Sequence, residues 1–297
     1  MIGFHEQLLQ YVVTGVTTGA IYALLAVGFV VIYNVTGVIN FAQGESAMLG
    51  ALLMVQFSSR LALPLPLSLL LSLILVTAIG ALLYGLAIRP ARHASPASLI
   101  IITIGASIAL RGAALMIWGT NSYLLPAFTP SPPLRLGSAV LRSQSLWVMG
   151  TTLVAVTGLF FFFQRTMAGK AMRACAVNRL AAQLMGISQV QMGVLAFGLG
   201  AALGAVAGAV IAPITYATYD MGTMLGLKGF VAAIIGGLTN PWGAVAGGLL
   251  LGVLEAVGAG VISSGAKDAI AFAVLVAILL FRPSGLMGGR QPAYGGL

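Results

Sequence analysis

The sequence has very few charged groups and almost none of the residues that enzymes use for catalysis or metal binding. Only 6% of its 297 residues are charged, and it contains 5 acidic residues, 2 histidines and 1 cysteine. Soluble domains carry about 25% charged residues, so this chain could not build a water-exposed surface. A soluble enzyme is therefore excluded, and lipid must be the main solvent. The single cysteine, Cys175, cannot form a disulfide within the chain.

The same scarcity excludes most catalytic and cofactor chemistry. Five acids and two histidines cannot supply a Ser-His-Asp triad, a pair of catalytic carboxylates or a metal cluster, and His93 beside Arg92 is better interpreted as a solvated loop residue. The segment Gly169-Lys170-Ala171 lacks the preceding glycine spacing and the following Ser or Thr of a phosphate-binding loop. We therefore expect no catalytic residue, no metal and no cofactor in this chain.

Long apolar runs are what the sequence does contain. Hydrophobic residues make up 60% of it, and runs near the length of a bilayer-spanning helix, about 20 residues, recur throughout. Such runs predict an all-α, polytopic transmembrane bundle of eight to nine spans, forming one domain over residues 1–297. The predicted spans are 9–33, 38–58, 66–88, 97–118, 146–163, 193–213, 225–240, 243–262 and 267–281. Spans 38–58 and 225–240 carry polar residues, so either could be broken or re-entrant.

The basic residues predict the orientation, because Lys and Arg in short loops stay on the cytoplasmic side. If all nine runs cross with the C-terminus inside, the cytoplasm receives Arg89, Arg92, Arg165, Lys170, Arg173, Arg179, Arg282 and Arg290. The outside receives Arg60, Arg135, Arg142 and Lys267. We therefore expect the N-terminus outside, a cytoplasmic loop at 163–192 and a cytoplasmic tail at 282–297. The net charge of +9 is then a topology signal and not a sign of nucleic-acid binding, because the basic residues are spread over separate loops.

Two Gly-interrupted segments echo each other in the two halves of the chain. Asn40-Phe41-Ala42-Gln43-Gly44-Glu45 follows the first span, and Met224-Leu225-Gly226-Leu227-Lys228-Gly229 follows the sixth. In the predicted orientation these halves would be inverted copies. Interrupted segments at matching positions are the usual sequence pointer to a transporter's binding site. Chance similarity between two Gly-rich stretches remains an alternative.

Four charged residues fall inside predicted spans: Glu45, Arg111, Lys228 and Glu255. Each costs about 2.5 to 3.5 kcal/mol on insertion scales unless it is paired or hydrated, so none should face lipid. We expect Glu255 to pair with Arg111 or Lys228. The pairs could simply hold helices together, or Asn40, Gln43, Glu45, Lys228 and Glu255 could line a translocation pathway; the sequence leaves both open.

The loop at 163–192 contains a stretch that is too polar to cross the membrane. Residues 171–185 are good helix formers and stop at Gly186, a typical helix C-cap, which predicts one short helix carrying Arg173 and Arg179. Such a helix could lie on anionic membrane lipid or seat in a groove of a partner protein.

Several motifs, in order along the chain, resemble those of branched-chain amino acid ABC transporter permeases. They are Asn40–Glu45, Gly169-Lys170-Ala171-Met172-Arg173-Ala174, Leu184–Ile187, Lys228–Ala233 with Gly236-Gly237, and Arg282–Leu286. They cover nearly the whole chain, and its length resembles the shorter of the family's two permease types.

The resemblance implies a five-part importer in the bacterial inner membrane. Its other parts would be a second homologous permease, two cytoplasmic ATPases that bind ATP and Mg²⁺, and a periplasmic solute-binding protein. Arg173, Arg179, Ala181, Ala182 and Gly186 then look like the elements that couple ATPase closure to the permease. Leu180 stands where the general importer motif has Glu, and no Leu-Pro ends the loop.

The resemblance favours leucine, isoleucine and valine as substrates, with other amino acids, urea or small amides left open. A secondary transporter or channel that works alone is the alternative function, with Glu45 and Glu255 as ion-coupling carboxylates.

Overall fold

The computed structural model describes residues 4–136 and 139–288, and most of these residues are helical. The helices are α1 (Phe4–Thr36), α2 (Gln43–Val55), α3 (Leu65–Leu83), α4 (Pro96–Trp118), α5 (Ser143–Arg165), α6 (Met167–Val177), α7 (Arg179–Leu184), α8 (Gln189–Ile211), α9 (Met221–Gly236), α10 (Pro241–Val261) and α11 (Lys267–Phe281). One π-helical turn, Gln56–Arg60, extends α2 and another, Tyr84–Ile88, extends α3. A 3₁₀ turn at Ser264–Ala266 precedes α11.

Six helices in the described part of the chain are long and apolar enough to cross a membrane: α1, α3 with its π turn, α4, α5, α8 and α10. The remaining predicted spans coincide with shorter helices, α2, α9 and α11, of which α9 has 16 residues. The all-helical class is therefore confirmed, while the count of eight to nine crossings stays a prediction. The tail residues 289–297 lie outside the described part.

The predicted span 38–58 does not begin as a helix. The chain leaves α1 at Gly37, whose φ is +69°, and regains helical geometry only at Gln43. A positive φ is strained for residues with a side chain, so Gly37 allows the turn that stops α1. The segment is thus interrupted between α1 and α2, as its polar content suggested.

A small hairpin joins α4 to α5. Strands β1 (Leu134–Leu136) and β2 (Ala139–Leu141) pair antiparallel, with Leu134 opposite Leu141. The backbone N–H of Val140 donates to Gln10 Oε1 at 2.7 Å, which fastens the hairpin to α1. The sequence did not predict these strands, because three residues are too few to show an alternating pattern.

The interior is formed by α1, α2 and α8, whereas α4 and α5 are mostly exposed. We compare the most apolar stretch of 18 residues in each helix. Of these residues, 89% are buried in α1 and 72% in α8, against 11% in α4 and 17% in α5. The exposed side chains on these outer helices include Ile108, Met116, Leu153 and Val154. Large apolar residues on the outside and small ones inside are the arrangement expected in lipid, where close packing replaces the hydrophobic effect between helices.

Glycines let the inner helices touch backbone to backbone. A Cβ on Gly15 of α1 would lie 2.6 Å from the Cα of Val253 in α10, and one on Gly19 would lie 2.8 Å from the carbonyl oxygen of Gly248. Both distances are too short for any side chain. Gly15 and Gly19, four residues apart on α1, therefore serve close helix packing.

The contacts made by α1, α2 and α3 match those made by α8, α9 and α10. Helix α1 packs on α9 and α10, and α8 packs on α2 and α3. In addition, α2 packs directly on α9. Replacing α1, α2 and α3 by α8, α9 and α10, and the reverse, reproduces these contacts.

The predicted helix at 171–185 is two helices, α6 and α7, so that prediction was wrong in detail. Asn178 has φ −154° and ψ 107°, which ends α6, and its Oδ1 accepts a hydrogen bond from the N–H of Ala181 at 3.0 Å. Asn is among the best N-cap residues, and here it starts a new helix inside a run of good helix formers. Gly186 has φ +85°, as a glycine C-cap should.

Candidate functional site

The break between α1 and α2 is held by side-chain hydrogen bonds. Asn40 Oδ1 accepts from the N–H of Ala42 at 3.2 Å. Thr103 Oγ1 of α4 accepts from the N–H of Phe41 at 3.2 Å, and it lies 2.8 Å from the carbonyl oxygen of Ile100 and 3.3 Å from that of Ile39. The break leaves backbone groups without helical partners, and these side chains accept hydrogen bonds from the N–H groups of Phe41 and Ala42. Asn40 thus has a role in the turn itself.

Gln43, the first residue of α2, ties that helix to α8. Its Nε2 donates to the carbonyl of Gly200 at 2.7 Å, and it is fully buried. Gln43 Oε1 has no hydrogen-bond partner among the described residues. A Cβ on Gly28 would overlap the Gln43 side chain, so the glycine leaves room for the amide.

Glu45 lies at the junction of α2, α4 and α9 and is only 1% exposed. Its Oε1 accepts a hydrogen bond from Ser107 Oγ at 2.8 Å and a longer one from Thr223 Oγ1 at 3.5 Å. Thr223 in turn accepts from Arg111 Nη1 at 2.9 Å, so a cation stands one residue away from the carboxylate. Glu45 Oε2 points at Gly222 and has no hydrogen-bond partner in the described chain.

A second charged cluster joins α1, α9, α10 and α11. Lys228 Nζ lies 3.2 Å from Glu255 Oε1 and 2.9 Å from Asp268 Oδ1. Tyr22 Oη donates to Glu255 Oε2 at 2.8 Å. The buried carboxylate of Glu255 therefore faces both a cation and a hydroxyl, which is the condition for keeping a charge out of lipid.

The structure thus separates the five predicted pathway residues. Glu45 lies in one cluster and Lys228 with Glu255 in the other, while Asn40 lies in the turn and Gln43 joins α2 to α8. Glu255 pairs with Lys228, one of its two expected partners, while Arg111 belongs to the Glu45 cluster. Ser107, Thr223, Tyr22 and Asp268 were not singled out from the sequence, because hydroxyl residues are common in apolar spans and Asp268 lies at the very start of the predicted span 267–281. Only their contacts in the fold identify them.

The five predicted coupling residues lie on α6, α7 and the turn after it. Arg173 and Ala181 are exposed, whereas Ala182 is 4% exposed and packs into the core. A Cβ on Gly37 would lie 2.6 Å from Arg179 Nη2, so the guanidinium of Arg179 sits against the glycine where α1 ends. This contact links α7 to the α1–α2 break, a link that the sequence did not reveal.

The outer side of α7 carries large apolar side chains. Leu180 is 67% exposed, Leu184 81% and Met185 83%. Cys175 of α6 faces inward, and burial raises the pKa of its thiol against the opposing effect of Arg179. The exposed surface of this region therefore combines apolar residues with the basic side chains of Arg173 and Arg179.

Apolar outer helices, an interrupted α1–α2 segment beside α9 and buried ionic clusters define a multi-pass helical membrane protein of the transporter class. Residues 11–279 match the family described as branched-chain amino acid transport system / permease component, so the chain belongs to that family. It is a multi-pass membrane permease.

Its relatives include permeases named for branched-chain amino acid transport. The high-affinity branched-chain amino acid transport system permease protein BraD of Pseudomonas aeruginosa is 35% identical, over 94% of this chain and 95% of its own. LivH of Salmonella typhimurium is 34% identical and LivH of Escherichia coli K12 is 32% identical, each over the same shares.

One solved structure resembles this fold. PsaBC from Streptococcus pneumoniae, in complex with Fab, matches with a TM-score of 0.51 over 91% of both chains. The sequence identity is 14%, so the likeness concerns the fold alone.

Proposed function

We propose that this chain is a permease subunit of an ATP-driven importer for branched-chain or related amino acids. It works with a second homologous permease, two cytoplasmic ATPases that bind ATP and Mg²⁺, and a periplasmic solute-binding protein. The names of the relatives support the substrate class. The absence of a phosphate-binding loop from the sequence is consistent with ATP hydrolysis in separate subunits.

The proposed mechanism is alternating access, in which two related halves move around the α2–α9 contact. The exchangeable packing of α1, α2 and α3 with α8, α9 and α10 supports an inverted repeat. Glu45 connects to both α4 and α9, so its cluster couples the halves where they meet. Glu45 Oε2 and Gln43 Oε1, which have no hydrogen-bond partner in the described part of the chain, are polar atoms that a second conformation can satisfy.

The contact between Arg179 and Gly37 is the observation that carries the coupling proposal. Movement of α7 by a docked ATPase would be transmitted through Arg179 to the turn that interrupts α1 and α2. A partner can drive such a switch only if it interacts differently with the two states. The exposed apolar residues of α7 and the adjacent Arg173 provide the surface for that interaction.

Gly186 gives the sharpest test of this coupling. Its φ of +85° strains any residue with a side chain, although a Cβ at this position would meet no atom within 4 Å. Gly186→Leu should therefore distort the end of α7 while the membrane core folds, and ATP-dependent uptake should fall by at least tenfold. Uptake is measured in cells that express the complete transporter.

Gly119 supplies a matched control, because it also has a positive φ of +72° with nothing within 4 Å. It follows α4, far along the chain from α7, so Gly119→Leu should leave coupled uptake nearly unchanged. Equal uptake by Gly186→Leu and wild type would remove α7 from the mechanism. Equal loss in both variants would show a general folding defect.

A transporter that works alone is the second candidate function, supported by the buried carboxylates Glu45 and Glu255. Purification separates the two. Co-purification of ATPases and a second permease, with uptake lost when ATP is withheld, supports the importer. Gradient-driven uptake by this chain alone, reconstituted in vesicles, supports the alternative.

A further inference from the structure

A cavity of about 340 Å³ lies among α1, α5, α6 and the beginning of α10, away from both charged clusters. Its walls are mostly apolar and include Val27, Val31, Leu159, Phe160, Phe163 and Trp242. Cavities of this size and character bind small or chain-like apolar groups. We refer to it as the α1/α5 groove.

One end of the α1/α5 groove is polar and positively charged. Arg173 lines the groove together with Gln164 and Asn34, and no acidic residue is among the residues that line it. Arg165 at the end of α5 and Lys170 in α6 belong to the same basic region of the sequence. The groove therefore offers an apolar channel that ends at an unbalanced cation.

The position of the groove suits a membrane lipid. Helix α5 forms one wall of the groove. Only 17% of the 18 residues in its most apolar stretch are buried, so this helix faces outward. Trp242 at the start of α10 is 53% exposed, and Trp residues concentrate at the level of lipid headgroups. Basic pockets between spans on the cytoplasmic side are a recurring site for acidic lipid headgroups.

We propose that the α1/α5 groove binds one anionic phospholipid, with an acyl chain along Val31 and Leu159 and the phosphate at Arg173. We propose an anionic lipid because the Arg173 guanidinium attracts a negatively charged headgroup more strongly than a zwitterionic one. The site is independent of the transported substrate. Arg173 would then belong both to this lipid site and to the edge of the surface that the ATPases are proposed to contact.

The test is lipid binding to the transporter purified from membranes with its accompanying subunits. Phosphatidylglycerol or phosphatidylcholine is added in detergent, and bound lipids are counted by native mass spectrometry. The wild-type transporter should bind phosphatidylglycerol more tightly than phosphatidylcholine. Arg173→Gln should weaken phosphatidylglycerol binding about fivefold, equivalent to about 1 kcal/mol for one basic residue near an anionic headgroup, and leave phosphatidylcholine binding unchanged.

Two further variants make the result specific to this groove. Arg92→Gln removes a basic residue that lines a different surface cavity, beside His93. This variant should bind both lipids as the wild type does. Ala176→Trp fills the groove from its exposed side and should weaken binding of both lipids, whereas Ala176→Ser should not.

Three outcomes would overturn the proposal. The first is equal binding of the two lipids by wild type, and the second is unchanged phosphatidylglycerol binding by Arg173→Gln. The third concerns a photoreactive amino acid placed at position 242 instead of Trp242. If it cross-links to a protein chain and not to lipid, the groove is a subunit interface.

Discussion

Individual charged residues inside this membrane protein are stabilised by partners from other helices. Lys228 reaches two carboxylates, but they differ in burial, since Glu255 is 1% exposed and the Asp268 side chain 48%. An exposed ion pair contributes about 0 to 1 kcal/mol, whereas leaving a buried polar group without its partner costs about 1 to 3 kcal/mol. The two carboxylates should therefore contribute unequally.

This inequality predicts the effect of neutralising each carboxylate in turn. Glu255→Gln should lower the stability of the purified protein by about 1 to 3 kcal/mol, because Lys228 and Tyr22 both lose a buried anionic partner. Asp268→Asn should lower it by less than about 1 kcal/mol. Both are measured by thermal unfolding in detergent. A larger effect of Asp268→Asn would mean that the Lys228–Asp268 contact is the important one.

At the scale of helices, α2 and α9 approach each other closely in the interior. A Cβ on Gly44 would overlap the carbonyl oxygen of Gly222 and lie 2.6 Å from the Cα of Gly226. The contact is between two backbones, which cannot move aside as a flexible side chain can. Overpacked interiors lose about 1 to 3 kcal/mol, so this glycine should tolerate no substitution.

Gly44→Ala should therefore destabilise the protein by about 1 to 3 kcal/mol and reduce uptake. Gly112 on α4 is the control, because a Cβ there meets nothing within 4 Å. Gly112→Ala should be neutral or stabilising by up to about 1 kcal/mol, since alanine is the better helix former. If the two variants unfold at the same temperature, the α2–α9 contact is looser than described.

The helices also show which features local sequence could predict. The bounds of α4, α10 and α11 agree with the predicted spans within two residues, and Pro96 and Pro241 mark the starts of α4 and α10 in the sequence. The break at Asn178 was missed, since propensity averaged over 171–185 favours helix throughout. What decides it is one side-chain cap that competes with the continuing helix.

The whole molecule should have one orientation in the membrane. The C-terminal end of α5 and helices α6 and α7 carry Arg165, Lys170, Arg173 and Arg179, and the positive-inside rule assigns this end to the cytoplasm. The β1–β2 hairpin, at the start of α5, would then face the periplasm, with the N-terminus outside and the C-terminus inside.

Cysteine labelling checks this orientation with little background. The native Cys175 is 1% exposed, and burial raises its pKa, so little reactive thiolate is available. A membrane-impermeant maleimide should label Thr120→Cys in intact spheroplasts and label Gln183→Cys only after lysis. The reverse pattern would invert the proposed topology, and labelling of both in intact cells would mean that the spheroplasts leak.

Composition and local motifs are enough to identify lipid as the surroundings of this protein, helices as its structural class and the permeases as its family. Scarce charge and long apolar runs require lipid, and both are properties that can be summed along a chain. The motif Asn40–Glu45 can likewise be compared with those of the permease family from the sequence alone. These conclusions depend on composition or on neighbouring residues.

Which polar groups meet depends on how the helices pack. Glu45 finds Ser107 and Thr223, Lys228 finds Glu255 and Asp268, and Arg179 reaches Gly37 from a distant part of the chain. Helical periodicity gives the face on which a residue lies but not its partner on another helix. In this protein the partners follow from where glycines let backbones approach, which is a property of the packed helices together.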